Sequence, residues 1–330
     1  TISGKVVPAT GLVLVPVGRA PKRGWPLVVY GHMTTGAADR CAPTNGTPDH
    51  SELRRMQQGD DLARRLLESG VAVARPDYEG LGVPGGHPYL RGGSLGRSMV
   101  DMVAATRKLI RLNGRWVASG HSEGGVAALN VADRRRPLVT GMQLMGVHAV
   151  TPVTQMEVLI RTLRPVPVAV QPVTGELVAL AGLILKGQAV EDPVVEHLAL
   201  NGGLSTKARA LWGRLETQCL EELSAGDAWG GLPPAGVLGP RGKALLDTAV
   251  AKLAADDVRR LPLRDVPLRI EVGIIDAVAP FVFTEQLVQA YRAQGIQVAV
   301  GRWAAGHSDT NADAASVPAA TKWILTQLRR

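Results

Sequence analysis

One stretch constrains this chain more than any other: Arg115-Trp116-Val117-Ala118-Ser119-Gly120-His121-Ser122-Glu123-Gly124-Gly125-Val126-Ala127-Ala128-Leu129. It reads as a short apolar strand, a G-x-S-x-G turn and a helix of small residues, which is the setting a nucleophile elbow needs. Gly120 and Gly124 stand two positions either side of Ser122. In a strained turn of that kind the strand and helix come so close that side chains there would clash. The pattern predicts a lone Ser122 side chain at the top of a sheet, in the position of a nucleophile. The backbone N–H of Glu123 falls in the first turn of the following helix, where unpaired amides and the helix dipole favour a developing oxyanion. The bare motif arises by chance in a chain holding 38 glycines, so the flanking strand and helix give it its weight.

At 330 residues the chain is long enough for one large α/β domain or for a core domain with an insertion. Only 2 Phe and 4 Tyr are present, which leaves the core to Val, Leu, Ala and Ile. The net charge of +8 rides mostly on scattered Arg, without the clustered basic and aromatic residues of a nucleic-acid groove. A solvated basic surface is expected, with weak attraction to anionic interfaces at most and no nucleic-acid partner. Cys41 and Cys219 belong to no CxxC or Cys/His cluster, so neither a zinc-type metal site nor a cofactor is expected. The most continuous apolar run, Leu177 to Leu185, is about half a bilayer span and predicts a buried or interfacial helix, with no transmembrane segment. The chain opens at Thr1 with no Met, basic n-region or apolar h-region, which predicts a mature chain without a targeting peptide.

Taken in order, Gly11 to Val17 and Pro26 to Tyr30 read as strands around the turn Pro21-Lys22-Arg23-Gly24. The second strand runs into Gly31-His32-Met33-Thr34-Thr35-Gly36, a glycine-bordered turn of the kind where α/β-hydrolases place the second oxyanion donor. Thr34, through its backbone N–H or its hydroxyl, is the expected donor, with Thr35 as second choice. His32 is expected to hydrogen-bond this loop, because a general base should follow the last strand. A helix over Asp60 to Ser69 precedes the buried strand Val71 to Ala74, and Asp77 beyond it is expected to cap local amides. Ser94 to Leu112 predicts an amphipathic helix with Met99, Met102, Val103 and Leu109 on its apolar face. Gly141 to Val147 is the next buried strand, so strands and helices alternate as in a parallel sheet covered on both faces.

From Thr151 to Pro262 the alternation stops and helices are expected over Val153 to Leu163, Glu176 to Leu185, Thr206 to Ala225 and Lys243 to Arg259. This predicts a helical cap over residues 151–262 inserted into an α/β core formed by 1–150 and 263–330, with Leu180 and Leu183 turned toward the site. The sheet pattern resumes at Pro267 to Ile275 and ends on Asp276. A helix from Phe281 to Gln294, a strand at Val298 to Val300, the loop carrying His307 and a last helix interrupted by Pro318 follow. Ser122, Asp276 and His307 thus occur in the order that α/β-hydrolases use, each on a loop after its own strand. His307 would act as base toward Ser122, and Asp276 would fix its tautomer. Asp309 lies too close in sequence to His307, and Asp265 precedes its strand instead of following it.

These motifs resemble the secretory lipases, capped α/β-hydrolases of yeasts and actinobacteria. The matching pieces are Thr34-Thr35-Gly36-Ala37-Ala38-Asp39-Arg40-Cys41-Ala42-Pro43, Asp77-Tyr78-Glu79-Gly80-Leu81-Gly82 with His87-Pro88-Tyr89-Leu90, and Gly120-His121-Ser122-Glu123-Gly124-Gly125. The resemblance spans nearly the whole chain and implies Ser122 as nucleophile, Asp276 as acid, His307 as base and a helical lid over an acyl-binding tunnel. Met33 departs from the family, which commonly has Gly after the His, and Glu123 stands where Gln is more usual. The residues alone leave Cys41 and Cys219 open as a bridge or as two buried thiols. The resemblance implies a disulfide joining core to cap, and with it secretion. The function so implied is a secreted serine lipase or esterase working through an acyl-enzyme on esters with an apolar acyl chain, possessing no cofactor. An acyltransferase or amidase on the same triad is the alternative, and a non-catalytic binding protein the remote one.

Overall fold

The computed structural model describes Gly4, residues 6–170 and residues 173–330, with Val173 as backbone alone; Thr1 lies outside the described residues. The apolar runs form strands β1 (Gly11–Leu14), β2 (Trp25–Gly31), β3 (Ala72–Pro76), β4 (Leu112–His121), β5 (Gln143–Val150), β6 (Leu268–Gly273) and β7 (Val298–Trp303). They make one seven-stranded sheet in the order β1-β3-β2-β4-β5-β6-β7. Only β1, antiparallel to β3, departs from the parallel arrangement. Every residue of β3 is buried, as a strand covered on both faces requires.

Helices supply both covers. They are α1 (Leu53–Met56), α2 (Asp60–Glu68), α3 (Gly92–Leu109), α4 (Glu123–Val131), α5 (Met156–Leu163), α6 (Val173–Glu191), α7 (Pro193–Leu198), α8 (Thr206–Ala210), α9 (Leu220–Leu223), α10 (Gly242–Ala255), α11 (Phe281–Ala293) and α12 (Val317–Arg329). Val28, Tyr30, Val73 and Val117 point to one face, where Leu62 and Leu66 of α2 and Ile324 of α12 pack on them. Leu27, Val29, Ala72, Ala74 and Ala118 point to the other, under α3 and α4. On α3 the buried stripe is Leu95, Met99, Val103 and Thr106, at the helical spacing; Leu109, expected on it, is 70% exposed because it sits off the stripe's centre at the helix end.

Between β5 and β6 the chain is helical, α5 to α10. The single helix expected over Thr206 to Ala225 is broken into α8, a 3₁₀ turn at Trp212–Glu216 and α9. Cys219 accordingly lies in extended backbone at the N-terminus of α9, not within a helix, and its N–H donates to the Glu222 carboxylate at 2.8 Å. Pro318 opens α12 instead of interrupting it, since a first-turn residue needs no N–H. Leu180 and Leu183 are buried in the core, while Leu177, Val178, Ala181 and Ile184 line an apolar pocket of about 90 Å³ with Ile160, Leu163 and Leu245.

Cys41 and Cys219 form a disulfide with Cα atoms 5.5 Å apart, tying the loop after β2 to the helical segment. Closing a loop of 178 residues in the unfolded chain stabilises the native state by at most about 5 kcal/mol in the entropic treatment. Beside the bridge, Arg40 pairs with Glu222 at 2.8 Å, and Arg55 pairs with Glu221 at 2.7 Å and Glu176 at 3.2 Å. Glu52 lies in the same cluster, wholly buried, and accepts the backbone N–H of Glu221 through Oε1. Burial pushes its carboxyl from the ordinary 4.5 to about 7, against the pull of Arg55. A carboxyl raised in this way favours folding below its unfolded pKa and loses that contribution as pH rises through the folded one. The shift corresponds to about 3 kcal/mol. The melting temperature is therefore expected to fall between pH 5 and pH 7.5 in the wild type and to fall less in Glu52→Gln; equal slopes by calorimetry would remove Glu52 from this role.

Candidate active site

The sheet delivers β4 into a turn whose shape is set by glycines. A Cβ on Gly124 would lie 2.0 Å from the carbonyl oxygen of Gly31, and one on Gly120 would lie 2.1 Å from that of Gly124. The start of α4 is thus pressed against the end of β2, and only hydrogen at these positions permits it. Ser122 takes up the resulting strain at φ 57° and ψ −116°, a conformation that non-glycine residues rarely adopt. Its backbone N–H donates to the carbonyl of Val150 at 2.9 Å, which fastens the turn to β5.

His307 follows β7 and Asp276 follows β6, and both reach the elbow. His307 Nε2 lies 2.8 Å from Ser122 Oγ, and His307 Nδ1 lies 2.7 Å from Asp276 Oδ2. The other carboxylate oxygen of Asp276 accepts the N–H groups of Val278 and Ala279, each at 2.8 Å. These bonds fix Asp276 as acceptor, so His307 carries its proton on Nδ1 and offers a bare Nε2 to the Ser122 hydroxyl. Asp309 and Asp265 make no hydrogen bond to His307 among the described residues.

His121, inside the elbow motif, was given no role by the sequence. Its Nε2–H donates to the backbone oxygen of His307 at 3.0 Å, and the two rings stand 5.1 Å apart. Burial, with His307 beside it, holds His121 well below the ordinary histidine range. It is a neutral brace for the loop that carries His307.

Thr34 lies against Glu123, its hydroxyl donating to Glu123 Oε2 at 3.2 Å. The remaining neighbours come from the loop before α3: Tyr89 OH is 2.9 Å from Thr34 Oγ1 and His87 Nε2 is 3.0 Å from Glu123 Oε1. His32 bonds the carbonyl of Met33 at 2.7 Å and stacks on Tyr78 at 4.3 Å, which makes it part of the loop's scaffold. Asp77 binds the backbone and hydroxyl of Thr44, 33 residues away, instead of amides in its own turn.

A second serine, histidine and acid meet elsewhere in the sheet. Ser119 Oγ lies 2.9 Å from His148 Nδ1, and His148 Nε2 lies 3.5 Å from Glu271 Oε1. All three are fully buried, and Arg269 and Trp303 also hold Glu271. No substrate can reach this group, whereas the His307 side chain is 9% exposed. A cavity of about 1310 Å³ also lies away from Ser122, against β1 and α3.

A parallel sheet covered on both faces, with a strained serine at a strand-to-helix turn, defines an enzyme of the α/β-hydrolase fold. The sequence profile of the secretory lipase family matches residues 51–329, so the chain belongs to the secretory lipase family and is a serine ester hydrolase of the lipase and esterase type. Comparison with curated proteins finds no match. Among solved structures, lipase A of Candida antarctica in its closed state superposes with a TM-score of 0.76 at 16% identity, covering 97% of this chain and 73% of that one. The rice cell wall degrading esterase of Xanthomonas oryzae, in a ligand-bound form, gives a TM-score of 0.70 at 19% identity, with 96% and 84% covered. At those identities the likeness is one of fold.

The packing at the elbow makes a direct prediction. Gly124→Ala is expected to destabilise the protein by on the order of 3 kcal/mol, since backbone lies where the methyl would go. Gly213→Ala, whose Cβ meets nothing within 4 Å, should be close to neutral. Denaturant titrations of the two variants check the contrast, which fails if both behave alike.

Proposed function

We propose that the chain is a secreted carboxylic-ester hydrolase in which Ser122 is the nucleophile, His307 the general base and Asp276 its orienting acid. The observation that carries this is the unbroken hydrogen-bond chain from Ser122 Oγ through His307 to Asp276, at 2.8 and 2.7 Å. Ser122 attacks the ester carbonyl as His307 takes its proton, and the same proton then goes to the departing alcohol. The acyl group rests on Ser122 until water, activated by His307, releases the acid. The backbone N–H groups of Glu123 and Thr34 hold the oxyanion. Residues 151–262 serve as a cap on the core of 1–150 and 263–330. In support, the segment rejoins the core where the N–H of Arg134 meets the carbonyl of Pro262 and that of Arg264 meets Ala132. Acyl esters with apolar chains suit the α6 surface at Leu177, Ala181 and Ile184. The disulfide and the family's secretory character support an extracellular location.

A panel of p-nitrophenyl esters from acetate to palmitate tests the chemistry. Ser122→Ala should lose about a million-fold in rate and Asp276→Asn about ten-thousand-fold, with little change for Asp309→Asn. Retained activity in Ser122→Ala would sink the nucleophile assignment, and a reversed order of the two Asp variants would move the acid. The same panel reads the acyl pocket. Ala181→Phe, which fills the space beside Leu177 and Ile184, should cut kcat/KM for palmitate roughly ten-fold more than for acetate; a uniform loss would detach that pocket from substrate binding.

A further inference from the structure

The Glu123 side chain, which the proposed mechanism leaves unused, lies in a buried set of hydrogen bonds with Thr34 and His87. His87 lies between a carboxyl and a backbone carbonyl: Nε2 is 3.0 Å from Glu123 Oε1 and Nδ1 is 2.9 Å from the carbonyl of Glu79. The Glu79 carbonyl can only accept, so Nδ1 carries a proton; with Glu123 as carboxylate Nε2 donates as well, and that is the imidazolium form. Glu123 Oε2 in turn takes the only proton of the Thr34 hydroxyl, so the 2.9 Å bond to Thr34 Oγ1 is donated by Tyr89. The Thr34 hydroxyl is thereby committed to Glu123 and unavailable to substrate. No described residue accepts from the Thr34 backbone N–H.

We infer that Glu123 and His87 form a buried ion pair that positions Thr34 for catalysis, fixing its backbone N–H as the oxyanion donor and neutralising the carboxylate that directly follows the nucleophile. The inference rests on the proposed oxyanion hole of Thr34 and Glu123. Physically, a lone carboxylate so close to a developing negative charge would raise the barrier, because in a dry site like charges repel strongly. Both side chains of the pair are only 1% exposed, so water cannot screen that charge. Glu123 and His87 are therefore positioning residues, acting through Thr34 and through the local field.

The groups that face His87 settle which charge it answers to. They are Glu123 from α4, Glu79 and Tyr78 from the loop after β3, Tyr89 beyond it, and, across the Tyr78 ring, His32 with Asp77 near it. Tyr78 and Tyr89 are pushed well above the ordinary tyrosine value by burial and stay neutral, and burial lowers His32. The Glu79 carboxylate is engaged by the Ser94 hydroxyl. Burial alone would lower His87 as well, yet the bond and charge of Glu123 override it and leave His87 raised. His87 in the pair thus keeps its proton to higher pH than a free imidazole does.

The test is a pH profile of kcat and KM for p-nitrophenyl butyrate on the wild type, Glu123→Gln, His87→Gln and the double variant. As a general base His307 contributes only an acid limb. The wild type should show an additional alkaline limb, from loss of the His87 proton, that Glu123→Gln lacks. His87→Gln, which strands the carboxylate, should lower kcat roughly ten- to hundred-fold with little change in KM, and adding Glu123→Gln should restore most of it. The alkaline limb persisting in Glu123→Gln, or no rescue in a double variant that melts as the wild type does, overturns the inference. If His87→Gln does not fold, the profile of the near-isosteric Glu123→Gln decides alone. A wild type inactive on every ester would instead count against the proposed function.

Discussion

The contact between Gly124 and Gly31 is what the rest of the site depends on. Because α4 touches β2 backbone to backbone, the turn between β4 and α4 cannot relax, and Ser122 is held at positive φ. The same closeness brings the loop after β2 within hydrogen-bonding reach of Glu123, so Thr34 and the elbow become one unit. A strained residue persists only when its surroundings over-determine it. Here the Val150 carbonyl, the two glycine contacts and the burial of the whole of α4 supply that determination.

The second consequence is that the site is built from loops with independent anchors. The Asp276 loop is fixed by its own amides, the His307 loop by His121, and the Thr34 loop by Tyr89 and Glu123. The loop that carries His87 and Tyr89 is itself covered by α6: a Cβ on Gly187 would stand 2.4 Å from the Tyr89 backbone nitrogen, and Arg91 pairs with Glu191 at 2.8 Å. Packing of the helical segment is therefore coupled to the residues that hold Thr34, through contacts that involve neither Ser122 nor His307.

The sheet, the elbow and the residues that meet at it were legible in the sequence because each is written locally: a run of apolar residues, then a glycine or an acid, then the next helix. Ser122, Asp276 and His307 are brought together by strand order, which such patterns encode well. The partners of Glu123 were not legible. His87 stands 36 residues upstream on a loop with no periodicity, and nothing in its neighbours marks it as the counter-ion of a residue on another element. The helical segment failed for a different reason. With apolar residues on nearly every side of α6, periodicity could not say whether Leu183 or Ala181 faces the pocket, and in the stretch from Thr206, where propensity favoured one helix, Cys219 lies in extended backbone, bonded to Cys41 and paired with Gly36.

The buried group at Ser119, His148 and Glu271 shows why residue type and spacing do not suffice to define chemistry. It repeats the residue types of a triad, but its histidine stands 3.5 Å from the acid where His307 stands 2.7 Å from Asp276, all three side chains are buried, and the acid is also held by Arg269 and Trp303. What separates Ser122 from Ser119 is backbone geometry. Ser119 lies within β4 and shares its regular pairing with Tyr30 and His148, whereas Ser122 has left the ladder at a turn that its glycines force. On the proposed reading, reactivity begins where the sheet's hydrogen bonding ends, with the N–H groups of the first turn of α4, which have no partner within the helix, available for a charge that the interior of the sheet has no donor left to stabilise.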